Sequence, residues 1–177
     1  MSLSELQIYQ VEFCGVLKAN NPDHYFKAVH VYKFNANENR YLATFDEYLH
    51  HVYILQFCLE ENQEIEDKFN QLAHVGPAIA KKVIATCVNI GLSIYEENPL
   101  ASFFFTTSPT VDELSNPYPL SNKRLAVYKY FAEFFFNSEN FTHLNFAQQN
   151  SYLILNKQYE QQESDATQKI KDMLKVN

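Results

Sequence analysis

A tyrosine on a helix, with an arginine one turn before it, is the pair in this chain best suited to chemistry. The phenol of Tyr128, ordinarily of pKa about 10, suits protonation of a thiolate leaving group, and Arg124 could hold a phosphate or a carboxylate. Each residue also has a plain structural reading. Tyr128 shares an apolar stripe with Leu125 and Phe131, which favours a core tyrosine, and Arg124 can pair with surface acids. His74 stands just before the pair Gly76-Pro77, where it could contact an anion, although a satisfied loop histidine is the commoner outcome. His50-His51 invites a metal ion. Neighbouring strand residues point to opposite faces, however, and no HExxH, CxxC or carboxylate triad accompanies them, so no metal is expected. No serine sits in a Gly-x-Ser-x-Gly elbow, and the Walker and dinucleotide glycine patterns are absent, which leaves hydrolase and nucleotide chemistry without support.

Composition narrows the field further. The 177 residues suit one domain, and 46% hydrophobic with 20% charged residues describes neither a disordered chain nor a membrane one. A net charge of −7 argues against nucleic acid, because neutralising phosphates needs a basic face. Only 3 Gly against 15 Phe and 12 Tyr leaves few places for backbone to wrap a phosphate and many side chains to bury. Cys14, Cys58 and Cys87 are odd in number and each lies in an apolar run, so three reduced core thiols are expected. The N-terminus shows no signal-peptide pattern, and the unbroken apolar runs fall short of the ~20 residues of a membrane span. The expectation is a cytoplasmic protein with no membrane partner.

The elements that would position these residues follow from periodicity. Gln7–Lys18 and Tyr25–Phe34 alternate as an antiparallel strand pair around a turn cluster at Lys18–Asp23. Tyr41–Leu49 fits a strand or a short helix, and His51–Leu59 is a strand apolar on both faces, as an interior strand should be. Glu60–Asp67 is an acidic, solvated connection. From Pro77 to Glu96, Ile79, Val83, Cys87, Ile90 and Ile94 recur at helical steps, with proline at the permitted first position. Leu100–Thr107 then returns as a buried strand parallel to 51–59, a right-handed crossover. A second helix over Asn122–Phe136 and a hairpin of Phe141–Ala147 with Ser151–Asn156 complete a single α+β domain over residues 1–156. The sheet is expected to be mixed and mostly antiparallel, flanked by two main helices. Residues 157–177 are polar, with Ile170, Met173 and Leu174 spaced for a weak amphipathic helix, and are expected as a helical or frayed tail.

This order, β-β-(β)-β-α-β-α-β-β, resembles the core of the GNAT superfamily of acyl-CoA N-acyltransferases. In that family a strand splays from its neighbour, and the next loop and helix N-terminus cradle a pyrophosphate with backbone amides. The resemblance implies acetyl-CoA as cofactor, Gln71, His74 and Gly76 at the pyrophosphate loop, Asn122 and Arg124 at the second helix, and Tyr128 as general acid. Gln71-Leu72-Ala73-His74-Val75-Gly76 keeps the family's glutamine and final glycine, whereas His74 replaces a glycine and Pro77 deletes an amide just beyond. The chain is also similar to small bacterial and phage domains built on a Gly-started helix, a strand and an Arg-x-x-x-Tyr helix, which Gly76, Thr86, Arg124 and Tyr128 match.

The runs Phe103-Phe104-Phe105 and Phe134-Phe135-Phe136 cannot each face one core, because strand residues alternate and helix residues fan out by about 100°. Some of that surface must meet a second layer, the tail or another chain. With the pyrophosphate loop altered, the expected function is a non-enzymatic protein-interaction module, binding a protein partner or itself as a homo-oligomer, in a phage–host or toxin–antitoxin setting that the resemblance implies. The alternative is an acyl-CoA-dependent N-acyltransferase.

Overall fold

The computed structural model describes residues 8–20, 25–64, 76–107 and 123–176. Among these residues seven strands form one sheet: β1 (Val11–Lys18), β2 (Phe26–Ala36), β3 (Asn39–Tyr48), β4 (Val52–Leu59), β5 (Ser102–Thr106), β6 (Phe141–Phe146) and β7 (Ser151–Asn156). Their spatial order is β1-β2-β3-β4-β5-β7-β6, antiparallel except where β4 and β5 run parallel. The expected α+β architecture is therefore present, and the ambiguous segment around 41–49 is a strand paired on both sides. Local chemistry explains the turns. Asn37 takes the left-handed φ of 57° in the two-residue β2–β3 turn, a conformation asparagine tolerates better than most residues.

The crossover between β4 and β5 carries helix α1 (Pro77–Glu97), opened by Gly76 with proline in its first turn. Val83, Cys87, Ile90 and Ile94 are its buried stripe. At 21 residues, with an 18-residue stretch of mean hydropathy 1.3, this helix is long and apolar enough to cross a membrane, but here its stripe packs on the sheet as a core helix. Helix α2 (Lys123–Phe135) lies beside it on the same face, over Phe45, Phe103, Phe105, Tyr152 and Ile154.

The opposite face is covered by the tail. Helices α3 (Lys157–Gln162) and α4 (Ala166–Leu174) bury Tyr159, Ala166, Ile170 and the following Val176 against Val52, Phe104, Phe146, Leu153 and Leu155. The tail is helical over both of these segments. Too few apolar residues show in the tail to suggest packing, but the strand residues beneath it need cover, and Ile170 is fully enclosed. Two layers also resolve the phenylalanine run of β5: Phe103 and Phe105 face α1 and α2, and Phe104 faces the tail. Cys58 and Cys87 are buried as expected, but Cys14 is exposed, because β1 is an edge strand whose apolar run is not core.

Candidate functional site

Where β4 and β5 run parallel they pair at three positions only, Val52 with Ser102, Tyr53 with Phe103 and Ile54 with Phe104. Beyond these pairs the strands part, and the resulting fork opens on the face covered by α1 and α2. Leu55 and Phe57 from β4 and Phe105 from β5 line it, with Ile84, Cys87 and Val88 of α1 and Tyr128 of α2 above. The ring of Tyr128 lies 5.9 Å from that of Phe57 and 5.7 Å from that of Phe105, so it wedges the two parted strands. The space left is a cavity of about 40 Å³. An apolar cavity of about 150 Å³ is what accommodates a benzene molecule, so the fork is filled by side chains.

Burial pushes the Tyr128 phenol above its ordinary pKa, with the neighbouring Cys87 thiol adding to the rise and the Arg124 charge opposing it. A phenol so raised gives up its proton less readily, which weakens it as an acid toward a thiolate. Burial likewise pushes the Cys87 thiol up, which makes it inert.

The helix start bears on anion binding. Gly76 sits at φ −61°, ψ 161° with open space where a Cβ would point, so neither conformation nor contact demands glycine there. Ile79 and Ala80 both donate their N–H groups to the Gly76 carbonyl, and Pro77 has none to offer. Arg124 stands one helical turn from Tyr128, so the structure brings those two together. Gln71, His74 and Asn122 lie outside the described residues.

A polar network at the other end of β4 escaped the sequence reading. His50 and His51 are not strand residues; they form a tight turn between β3 and β4 with φ of 63° and 56°, two consecutive left-handed residues without glycine. The turn holds because its side chains are tied down. His50 Nδ1 lies 2.9 Å from the Tyr159 hydroxyl on α3, and Asn98, at the end of α1, places its amide Nδ2 3.2 Å from His51 Nδ1 and donates to the Tyr53 hydroxyl at 3.2 Å. Beside them Glu47 accepts from Lys27 at 2.7 Å and pairs with His30 Nε2 at 2.9 Å, and the His30 ring meets Tyr53 edge-on. Burial pushes the His51 pKa down, and the Lys27 charge adds to this. Burial works the other way on Glu47, but hydrogen bonds from Lys27 and His30 outweigh it and hold the carboxyl below its ordinary range. This constellation is internally paired and ties β2, β3, β4, α1 and α3 together. Only the His50-His51 pair advertised it in sequence. Among the described residues no His, Cys, Asp and Glu group could hold a metal ion.

Apart from Tyr25 and Leu49, the large exposed apolar side chains of the described residues fall in two places. On α2, Val127, Tyr130 and Phe134 recur at three- and four-residue steps on the outer face, with 40%, 55% and 42% of their surfaces exposed. At the sheet edge, β1 exposes Phe13, Val16 and Leu17. No family model, curated protein or solved structure matches the chain.

Proposed function

We propose that the chain is a non-enzymatic protein-interaction module of the cytoplasm that docks a partner protein through the outer stripe of α2. The observation that carries this reading is Val127, Tyr130 and Phe134 in helical register on a helix whose inner face is already packed by Leu125, Tyr128 and Ala132. A helix apolar on both sides is a helix meant to be covered on both sides. The helix itself carries Lys123, Arg124 and Lys129 against Glu133, so the complementary partner presents an apolar groove with an acidic rim. The phage–host or toxin–antitoxin setting comes from the resemblance stated above. The test compares affinity capture in the native host by the full chain and by the Tyr130→Ser/Phe134→Ser variant, with circular dichroism and melting temperature as folding controls. A partner held by the first and lost by the folded variant is the expected result; identical captures sink the reading.

A second reading, the acyl-CoA-dependent N-acyltransferase, draws support from the fork between β4 and β5 and from the place of Tyr128 within it. Against it stand the filled fork, the raised phenol and the missing amide at Pro77. Acetyl-CoA at millimolar concentration separates the two, because a ligand that binds only the folded state must raise its melting temperature. No shift is expected, and a clear rise favours the enzyme.

A further inference from the structure

We infer that the free edge of β1 is a self-association surface, across which two copies pair antiparallel about a two-fold axis beside Cys14 and Gly15. This rests on the interaction reading above and names one of its partners as a second copy of the chain. The two edges of the sheet differ. On β6, Phe141 and Phe146 are buried, whereas β1 exposes 57% of Phe13, 41% of Val16 and 66% of Leu17. At eight residues, β1 also offers a long row of backbone donors and acceptors, paired among the described residues with β2 on one side only.

A bulge selects the partner. Phe13 pairs with Tyr32 and Gly15 with Val31, so Cys14 is an extra residue, accommodated by a φ of 130° at Gly15. Phe13 and Val16, three apart, therefore share the face that carries α1 and α2, together with Val11 and Lys18, while Glu12 and Leu17 share the other. An antiparallel pairing of Val11 with Lys18, Glu12 with Leu17, Phe13 with Val16 and Cys14 with Gly15 of the second copy keeps every like face together and uses the whole strand. In an unbulged strand the same register would set each residue against one of the opposite face. The pairing places Phe13 against Val16 twice, once on each side of the axis. It also brings the two Cys14 Cα atoms to about 6 Å, from a strand spacing of about 4.8 Å and a rise of about 3.3 Å per residue, within reach of a disulfide.

The experiment uses the full chain. Light scattering over a micromolar concentration series should give twice the 20.7 kDa of one chain, and the Phe13→Lys/Leu17→Lys variant should stay at one chain with an unchanged circular dichroism spectrum. Independently, diamide should take two electrons and two protons from two Cys14 thiols, becoming the hydrazine and leaving a disulfide-linked dimer. Cys14→Ser should give none, because Cys58 and Cys87 are buried. A single-chain mass throughout, or equal cross-linking of Phe13→Lys/Leu17→Lys, overturns the inference. If the mass stays single while Tyr130→Ser/Phe134→Ser still loses a captured partner, the β1 surface fails and the α2 reading stands.

Discussion

Asn156 shows how much one polar side chain can organise. It is buried at the end of β7; its amide donates to the carbonyls of Pro99 and Ala101, and its Oδ1 accepts from the N–H groups of Gln158 and Tyr159 as the cap of α3. Replacing it with alanine removes a helix cap and strands two carbonyls in the interior, so Asn156→Ala should cost roughly 2–4 kcal/mol in urea unfolding. Asn156→Asp keeps the cap but sets a buried carboxylate oxygen against the Pro99 and Ala101 carbonyls, and should cost at least as much. The capping role is local, but no motif announces the rest, because the carbonyls its amide serves lie more than fifty residues away. Tyr128 was legible as a candidate for the opposite reason: its stripe and its arginine are local. What the sequence could not convey is that Phe57 and Phe105, from two strands, close around it and raise its pKa.

The elements differ in how openly they announce themselves. Strands β1, β2 and β4, both long helices and the closing hairpin follow from alternation, from helical spacing and from Pro77 and Asn98-Pro99, all features contained within a dozen or so residues. The tail does not, because its helices are justified by the sheet face beneath them. If that face needs its cover, Ile170→Ala should cost about 2–5 kcal/mol, measured by urea unfolding, as does a large-to-small change at a closed site. A loss within 0.5 kcal/mol, the range of ordinary surface changes, would mean that α4 is an appendage after all. The His50-His51 turn was misread as strand because nothing local signals two left-handed residues in a row. Their conformation is held by Tyr159 and Asn98, from distant parts of the chain.

For the molecule as a whole, the polar network sets the response to acid. Both His51 and Glu47 are held below their ordinary values, so each binds fewer protons folded than unfolded at intermediate pH, and each contribution is lost as the pH falls through its folded value. For His51 the stabilisation is complete above about 6.5, and for Glu47 above about 4.5. Urea midpoints should therefore hold level near pH 7–8, decline in a first step below about pH 6.5 and in a second below about pH 4.5. His51→Gln should remove the first step and leave the second; a curve of unchanged shape would show that other groups set the response.

The seating of β7 between β5 and β6 has a consequence for how the chain is made. As a ribosome extrudes the protein, β1 to β4 can assemble as a run of adjacent hairpins, each strand meeting the one before it. Strand β5 arrives with three parallel pairings and then waits, one flank bare, until residues 151–156 have been synthesised. Phe103 and Phe105 have α1 to lie under from the start, but the bare flank waits for β7 and Phe104 for the helices that follow it.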